Sequence, residues 1–467
     1  MNNSGRRAVG RRGFILGAAA WCTSTATAFA EDGSASIERI WSGFLGTDDP
    51  PTLLTLRIAN SATAELTVVG VGSIPVSKYQ AIGRRIDFET SAPKLRFEGE
   101  RNAAGDIIGV IRRGEAIVPL TFVRGDLFTE RPMAKLPPGP ITRDRLRGLR
   151  MTAGCPAMGV AWRRGDERVR VLVDGRRSVL DAVPVQQADR WHLGSVTKNM
   201  TATLAARLVE QGRIGWHTTI HEIFGGRVPD MQAGYRDLTL LHVLSHHGGL
   251  ARDTPVEAYA NYPPELQRIA YVQAALKQSP IGVAGREMVY SNGDYVVAGL
   301  MLETVGGTTW EALIAKHVFD PLGVQSFGFG PPGAPRELDQ PQGHRMGARG
   351  LEPVRSDVPF AMGPAGRVNM SLGDLATYLC AHRDRPPDFL RPESWDVLHS
   401  PPFGGNYALG WEVSKGGVLS HGGTNSWWKS EVRVDPGQRL VCAAVTNVLS
   451  VNGQEALLQL EDSATLS

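Results

Sequence analysis

The sequence has little cysteine, little net charge and, beyond its N-terminal segment, no long apolar run. Only four of its 467 residues are cysteine, which does not indicate a disulfide-held fold, because a chain of this length can bury a large core without crosslinks. A formal net charge of +3 gives no basis for binding nucleic acid or an anionic membrane. No later stretch is long and apolar enough to predict a membrane span. We therefore expect an ordinary globular protein, and its length favours two domains.

The first 30 residues have the features of an export signal. Arg11 and Arg12 precede a mildly apolar stretch at residues 13 to 21, and the small residues Ala28 and Ala30 mark a cleavage site. This segment resembles a twin-arginine signal peptide, with a glycine where a hydroxyl residue is usual. An uncleaved anchor is the alternative, but residues 13 to 21 are too few to span a bilayer. We expect a periplasmic or secreted mature protein with no stable membrane insertion after residues 1 to 30 are removed.

Cleavage would also remove Cys22 and four arginines, which leaves the remaining chain with one net negative charge. Three cysteines would remain, at Cys155, Cys380 and Cys442. An odd number allows one disulfide but does not require it, so the sequence leaves their pairing open.

Residues 31 to 130 show the pattern of a small all-β domain. Apolar residues alternate with polar ones, as at Leu54, Leu56 and Ile58, and Gly, Asn and Asp separate the runs at short intervals. This pattern predicts an accessory antiparallel barrel or sandwich. Residues 131 to 140 contain four prolines, which disfavour helix and sheet and predict a linker.

Residues 141 to 467 have strand patterns near both ends and helical patterns between them. Strands are predicted first at residues 157 to 162 and 169 to 173, and last at residues 431 to 434 and 440 to 445. We expect one antiparallel sheet built from both ends, flanked by helices and interrupted by a helical insertion. The predicted fold class is an α/β domain preceded by a small all-β domain.

A serine and a lysine lie one helical turn apart at Ser195 and Lys198. Apolar residues recur every four positions after them, which predicts an amphipathic helix that ends near Gly212. A hydroxyl group at a helix start lies close to amide N–H groups without helical partners, and a lysine three residues later shares its face. This arrangement can make a nucleophile, although an isolated Ser-x-x-Lys is more often an ordinary N-cap followed by a solvated lysine.

Context distinguishes Ser195 from two other serines with the same spacing to a lysine. Ser91 is followed by a proline and a strand pattern, and Ser426 is followed by two tryptophans. Among the three, Ser195 is the serine that opens a helical pattern, which favours it as the nucleophile.

Two further motifs also occur twice each. Tyr290-Ser291-Asn292 leads directly into a helical pattern, and His421-Gly422-Gly423 ends a strand pattern. The copies that begin at Tyr259 and His247 lie in loop contexts. A nucleophilic serine needs a base, and a tyrosine can supply it where a nearby cation favours the phenolate.

Three motifs therefore stand in one order: Ser195-x-x-Lys198, Tyr290-x-Asn292 and His421-Gly422-Gly423. This order resembles the serine β-lactamase and penicillin-binding-protein superfamily. Tyr-x-Asn and His-Gly-Gly in the second and third places are similar to the class C β-lactamase, DD-peptidase and esterase branch. Further likenesses lie at residues 244 to 250, 320 to 323, 364 to 367 and 434 to 437. The resemblance covers residues 141 to 467 and implies a β-lactamase-like fold for that domain.

The resemblance implies an acyl-enzyme mechanism. Ser195 would attack a carbonyl carbon, and Lys198 and Tyr290 would share the removal of its proton as one coupled unit. Asn292 would orient Lys198 and the substrate. His421, as the first residue of the third motif, is included among the expected catalytic residues.

The third motif bears on substrate binding. The resemblance implies an oxyanion hole formed by the backbone N–H groups of Ser195 and Thr424, and Gly422 and Gly423 would let substrate approach the strand edge. A lysine at the first position would supply a permanent cation for a substrate carboxylate, whereas His421 is mostly neutral near pH 7. Unless an arginine supplies that charge, an ester or amide substrate is favoured over β-lactams and cell-wall peptides.

The sequence thus predicts an exported serine hydrolase that cleaves an ester or amide without a metal or cofactor. β-Lactamase and D-amino-acid-specific peptidase activities stay open, as does a non-enzymatic penicillin-binding or sensor protein that is acylated without turnover. Two histidine pairs, His217 with His221 and His242 with His246, lack the glutamate of a zinc-binding His-Glu-x-x-His motif. The expected partner is a small-molecule ester, amide or peptide, and the oligomeric state stays open.

Overall fold

The computed structural model describes residues 39–45, 52–58, 63–68, 72–91, 94–102, 107–113, 116–124, 133, 135–251, 254, 258–334, 337–347 and 350–467. The chain divides into two compact units, with the main boundary after residue 131. The predicted signal peptide lies outside the described residues. In the predicted linker, residues 133 and 135–140 form neither helix nor strand.

The described strands of the first unit form a closed antiparallel barrel. They are β1 (Arg39–Leu45), β2 (Thr52–Ile58), β3 (Ala64–Val68), β4 (Gly72–Ile82), β5 (Arg85–Ser91), β6 (Lys94–Arg101), β7 (Ile107–Arg113) and β8 (Ala116–Arg124). The barrel closes because β1 pairs with β8 as well as with β2. The alternating apolar residues form its core, where the rings of Phe88, Phe97 and Phe122 have centroids 4.9 to 6.3 Å apart. The predicted small all-β domain is confirmed, and its form is a barrel.

The second unit is built on an antiparallel sheet in the order β10-β9-β19-β18-β17-β16. The strands after the barrel are β9 (Ala157–Arg164), β10 (Arg170–Gly175), β11 (Arg190–His192), β12 (Phe327–Phe329), β13 (Gly343–Gly347), β14 (Gly350–Val354), β15 (Val368–Ser371), β16 (Glu412–Val413), β17 (Leu419–Thr424), β18 (Lys429–Asp435) and β19 (Leu440–Thr446). Early strand β9 pairs with late strand β19, so the predicted sheet from both ends of the domain is confirmed. Strands β11, β15 and β12 form a second, three-stranded sheet.

Helices cover both faces of the main sheet. They are α1 (Arg143–Thr152), α2 (Thr197–Glu210), α3 (Ile220–Phe224), α4 (Leu240–Leu244), α5 (Pro264–Ala275), α6 (Asn292–Gly306), α7 (Trp310–Ile314), α8 (Gly363–Gly366), α9 (Leu372–Asp384), α10 (Pro392–His399) and α11 (Val451–Ala464). Helix α9 packs on one face, and α1 and α11 pack on the other. Along β19, Ala443 and Val445 belong to one core while Cys442 and Ala444 belong to the other. Within the described ranges, each helix is too short or too polar to cross a membrane.

Helix α2 forms where the sequence predicts it, but its first ten residues have no exposed face. Ser195 lies in a 3-10 turn, Gly194–Val196, that runs directly into α2. Residues 197 to 206 are all buried, because α6, α8 and α10 pack around the helix. Local periodicity could not reveal this, since the covering helices are distant in sequence. Gly212 follows the end of the helix with a φ of 67°, as its position in the sequence predicts.

The cysteines whose pairing the sequence leaves open are not joined to one another. Cys155, Cys380 and Cys442 are buried thiols. Burial raises the pKa of Cys380 and raises that of Cys442 further, so both stay protonated and unreactive near neutral pH. The core of the second unit holds together without a disulfide among these three.

Candidate active site

The turn that carries Ser195 is held against strand β17. Gly194 has a φ of 51°, and a Cβ atom at that position would lie 2.3 Å from the backbone nitrogen of Thr424. This glycine is therefore required both by its conformation and by the close approach. Ser195 is partly exposed, whereas residues 191 to 194 and 196 to 200 are buried. Among residues 191 to 200, Ser195 is therefore the residue that reaches the surface.

Lys198 is completely buried beneath that hydroxyl group. Its Nζ lies 2.8 Å from Asn292 Oδ1, 2.8 Å from the Ala365 carbonyl oxygen and 3.0 Å from Ser195 Oγ. Amide and carbonyl oxygens only accept hydrogen bonds, so two N–H groups of Lys198 are committed to them. The third position on the nitrogen faces Ser195. As an ammonium ion it donates a proton to Oγ, and as a neutral amine it can accept the hydroxyl proton.

The second motif lies at the start of α6. Ser291 caps the helix by accepting a hydrogen bond from the Asp294 N–H at 3.3 Å, which fixes Asn292 as the first helical residue. Tyr290, just before the cap, lies with its ring centroid 4.9 Å from Lys198 Nζ. The two predicted proton-transfer side chains are therefore neighbours, and Tyr290 is partly exposed beside Ser195's partner lysine.

The ring of His246 packs against the ring of Tyr290. Its ring centroid lies 4.3 Å from that of Tyr290, and its Nδ1 accepts a hydrogen bond from the Ser291 N–H at 3.2 Å. His246 holds an uncommon φ of 62° for a residue other than glycine. A buried histidine thus contacts both the tyrosine and the cap of the second motif.

Burial favours the neutral forms of two groups near Lys198, His246 and Asp294. Burial lowers the pKa of His246 well below its ordinary value and raises that of Asp294 well above its ordinary value, although their side chains approach within 3.5 Å. Lys198 therefore lies among neutral groups on this side. That environment strengthens its interaction with any anionic group formed nearby.

His421 does not point a free ring nitrogen into the site. Its Nδ1 lies 2.8 Å from the Gly422 carbonyl oxygen, so Nδ1 carries the proton, and its Nε2 accepts a hydrogen bond from the Tyr407 hydroxyl at 3.0 Å. Burial lowers the pKa of His421 to about 3, with the nearby Lys198 charge adding to the shift. Both ring nitrogens are thus hydrogen-bonded within the protein and the ring is neutral as expected, so a catalytic role for His421 stays a prediction.

The glycines of the third motif have packing roles that sequence reasoning did not foresee. A Cβ atom at Gly423 would lie 2.0 Å from the Leu193 carbonyl oxygen. A Cβ atom at Gly422 would lie 2.9 Å from both Lys429 and Glu431, whose side chains form an ion pair at 2.7 Å. The space above each Cα is thus filled by protein, and their predicted role in substrate approach stays a prediction.

Thr424 is exposed at the end of β17 and lies beside the Ser195 turn. Strand β16 pairs with β17 only through Leu419 and Ser420 in the register of the described residues. The end of β17 that carries Thr424 is therefore not covered by β16. The role of its backbone N–H as an oxyanion donor stays a prediction.

The alternative motif copies lie in other settings, with one exception. Ser91 pairs with Lys94 across the β5–β6 hairpin, and Tyr259 is buried against another tyrosine. The exception is the loop that contains the His247 copy of His-Gly-Gly, because the preceding His246 packs on Tyr290. That loop is part of the wall of the site.

Three side chains at or beside the site carry no motif signal by themselves: His246, Tyr407 and Asp357. His246 lies within the segment at residues 244 to 250 that resembles the family, which could have marked it. Tyr407 and Asp357 lie in irregular segments, and only the fold shows their contacts with His421 and His192. Among the described residues, no group of three or more His, Cys, Asp or Glu side chains could hold a metal ion.

Comparison with known proteins identifies the family of the larger domain. A family model described as Beta-lactamase matches residues 142–464. The chain belongs to the Beta-lactamase family. This places it among the β-lactamase-related serine hydrolases and confirms the resemblance drawn from the three motifs.

Curated relatives of this family member are distant. It is 26% identical over 279 residues to penicillin-binding protein 4 of Amycolatopsis lactamdurans, a match that covers 54% of this chain and 71% of the relative. It is 24% identical over 269 residues to an unguisins hydrolase of Aspergillus campestris, covering 53% of this chain and 50% of the relative. The chain thus spans only half the length of that second relative.

A solved structure shows the same fold. The D-amino acid amidase of Ochrobactrum anthropi superposes with a TM-score of 0.59 at 18% sequence identity, and the match covers 68% of this chain and 97% of the amidase. The predicted β-lactamase-like architecture of the larger domain is confirmed by this likeness.

Gly423→Ala should disable the site. Its Cβ atom would clash with the Leu193 carbonyl oxygen and with Ser430 Oγ, 2.5 Å away, and would push the Ser195 turn from β17. A displacement of about 1 Å costs on the order of 10²-fold in turnover, so kcat/KM for a chromogenic ester should fall by that factor.

Gly416→Ala is the matched control. Its Cβ atom would meet Ser414 Oγ at 3.8 Å, an ordinary contact, and activity should be retained. Equal activity of the two variants would contradict the packing role assigned to Gly423.

His421 predicts how stability depends on pH. Below the ordinary histidine pKa of 6.5, the unfolded chain binds a proton at this ring, whereas the folded protein does not until about pH 3. The free energy of unfolding should therefore fall as pH drops from 6.5 towards 3. In His421→Gln the slope between pH 6 and pH 4 should be smaller by about 1.4 kcal/mol per pH unit, measured by urea unfolding. Identical slopes would show that His421 is not buried as a neutral ring.

Proposed function

We propose that this protein hydrolyses an ester or amide through an acyl-enzyme formed on Ser195. The observation that carries the proposal is the 3.0 Å contact between Ser195 Oγ and Lys198 Nζ, because the other two contacts of that nitrogen are to acceptors. The nitrogen is thereby aimed at the hydroxyl group. This is the geometry that a base needs to activate a serine.

In the acylation step, Ser195 Oγ attacks the substrate carbonyl carbon as its proton passes to the unit formed by Lys198 and Tyr290. A C–O bond forms, and the carbonyl oxygen becomes an oxyanion. The backbone N–H groups of Ser195 and Thr424 donate hydrogen bonds to that oxygen. The bond to the leaving group then breaks, and the leaving alcohol or amine takes the proton that Ser195 gave up.

Deacylation repeats these steps with water as the nucleophile. Tyr290 takes a proton from water as it attacks the acyl carbon, a role supported by its position beside Lys198 and its partial exposure. The Ser195 ester bond breaks, Oγ recovers a proton, and the acid product leaves. Asn292 keeps Lys198 in place throughout, through the hydrogen bond from Nζ to Oδ1 at 2.8 Å.

The absence of a lysine from the third motif supports esters and simple amides as substrates. His421 is buried and neutral, and its two nitrogens are occupied by Gly422 and Tyr407. The nearby Lys429 is paired with Glu431. The third motif thus offers no permanent cation to a substrate carboxylate, a group that β-lactams and cell-wall peptides carry.

We also propose that the enzyme acts outside the cytoplasm. The support comes from the sequence alone, in Arg11 and Arg12 and the small residues at Ala28 and Ala30. A periplasmic or secreted location agrees with the predicted loss of residues 1 to 30 before the enzyme works.

Ser195→Ala should abolish hydrolysis, because it removes the attacking oxygen. We expect kcat/KM for a chromogenic ester to fall by a factor on the order of 10³ or more. A fluorescent phosphonate should label the wild-type protein at Ser195 and should not label the variant, as shown by mass spectrometry of the labelled peptide.

Ser426→Ala provides the matched control, since Ser426 has the same spacing to a lysine but lies in a left-handed turn beyond β17. Full activity is expected there. Hydrolysis that survives in Ser195→Ala, or a label found on another residue, would overturn the proposed nucleophile.

A substrate panel separates the remaining alternatives. Assayed together, a short-chain nitrophenyl ester should be turned over faster than nitrocefin or a D-Ala-D-Ala peptide, because the third motif lacks a permanent cation. Faster turnover of nitrocefin or the peptide would instead establish a β-lactamase or a D-amino-acid-specific peptidase. A burst of one product equivalent without further turnover would establish a protein that is acylated but not catalytic.

A further inference from the structure

Asp357 is a buried carboxylate between β14 and α8 that touches neither Ser195 nor Lys198 through any hydrogen bond in the described structure. Its side chain is 4% exposed. Its two oxygens bind groups from both sides of the proposed oxyanion hole. The proposed acyl-enzyme mechanism does not otherwise use it.

One carboxylate oxygen of Asp357 is connected to the Ser195 turn by hydrogen bonds through His192. Asp357 Oδ2 lies 3.1 Å from Nε2 of His192, a fully buried ring. His192 Nδ1 accepts a hydrogen bond from the Gly194 N–H at 3.1 Å, so the proton of the neutral ring lies on Nε2 and is donated to Asp357. The carboxylate thus sets the tautomer of His192, and the ring holds the residue that precedes Ser195.

The other carboxylate oxygen is connected to the end of β17 by a hydrogen bond from Asn425. Asp357 Oδ1 accepts hydrogen bonds from Asn425 Nδ2 at 2.9 Å and from the Val358 N–H at 2.8 Å. Asn425 follows Thr424 directly, is 4% exposed, and accepts a hydrogen bond from the Trp427 N–H through its own side-chain oxygen at 3.2 Å. The amide of Asn425 is therefore held at both ends.

The carboxylate is ionised in this position. Burial opposes ionisation, but the neighbouring His192 ring, Arg367 and Asn425 outweigh it and lower the pKa of Asp357 below its ordinary value. Arg367 Nε lies 3.3 Å from Oδ2, and the arginine follows α8. A charged acceptor makes each of these hydrogen bonds stronger than a neutral one would.

We propose that Asp357 is a positioning residue that fixes the separation of the two oxyanion-hole donors, the N–H groups of Ser195 and Thr424. This inference rests on the proposed function. The turn at Gly194 and the strand at Thr424 contact each other through backbone atoms, and a single carboxylate ties both segments in place. We call this arrangement the clamp: its His192 arm runs from Asp357 through His192 to Gly194, and its Thr424 arm runs from Asp357 through Asn425 to Thr424. The His192 arm holds the left-handed Gly194 turn against β17.

Asp357→Asn tests the clamp with little change in shape. An amide offers only one acceptor oxygen, so its NH₂ group must face either His192 Nε2–H or the Asn425 NH₂ group, donor against donor. If His192 changes tautomer, its Nδ1–H faces the Gly194 N–H instead. One arm is lost in each arrangement.

The expected result is a loss in the transition state and not in substrate binding. We expect kcat for the chromogenic ester to fall about 10²-fold with KM changed less than threefold. The dissociation constant of phenylboronic acid, which forms a tetrahedral adduct on the serine, should rise by a similar factor. A purely structural role would not shift the boronic acid affinity relative to KM.

Asp189→Asn is the matched control. Asp189 is another buried carboxylate of the same unit, and its hydrogen bonds join it to Arg177 and to the Gln186 N–H, which contact neither Gly194 nor Asn425 in the hydrogen bonds described. It should lose stability, measured by thermal unfolding, with kcat retained within threefold. Asn425→Ala breaks only the Thr424 arm and keeps the Asp357 charge, so it serves if Asp357→Asn does not fold, and a 10-fold or greater fall in kcat is expected.

The proposed role of Asp357 is contradicted if folded Asp357→Asn or Asn425→Ala keeps the wild-type kcat and boronic acid affinity. It is also contradicted if only KM changes. That outcome differs from failure of the proposed function. If Ser195→Ala keeps its turnover, the nucleophile is wrong. If Ser195→Ala is inactive while both clamp variants work normally, only the role of Asp357 is wrong.

Discussion

The burial of one amine organises the larger unit. Lys198 Nζ is removed from water, and a buried charge without partners would cost several kcal/mol. Its three partners come from separate segments: Ser195 in the turn before α2, Asn292 at the start of α6, and the Ala365 carbonyl of α8. Helices α6 and α8 must therefore pack against α2 for this nitrogen to have all its hydrogen-bond partners. The contacts that stabilise the fold are the contacts that aim the nitrogen at the serine.

Three ionisable groups near that amine are kept neutral by burial. His246 and His421 are buried and neutral, and Asp294 is held in its protonated form by burial. Tyr407 fills the acceptor nitrogen of His421. The third motif of this protein therefore supports the site through packing and hydrogen bonds within the protein.

A second constraint is the close contact between the backbone of the Ser195 turn and that of β17. Gly194 and Gly423 are both required there, because a Cβ atom on either would penetrate the opposite backbone. Ser430 adds a hydrogen bond to the Leu193 carbonyl oxygen at 2.8 Å. The sheet, assembled from both ends of the domain, thereby determines where the nucleophile sits relative to the donors on the strand. Activity and core packing are consequently coupled in this unit.

Local patterns in the sequence predicted an antiparallel barrel or sandwich, the helix after Ser195 and the order of the three motifs, because alternation, helical period and glycine placement act over a few residues. The spacing of Ser195 and Lys198 also predicted that their side chains lie close together, and Oγ and Nζ are 3.0 Å apart. Three features depend instead on tertiary packing: residues 197 to 206 of α2 are all buried, His421 binds Tyr407, and Asp357 contacts His192, 165 residues away in the chain. Such contacts join segments that are remote in the chain, and their geometry is set by how sheet and helices pack, which no local pattern encodes.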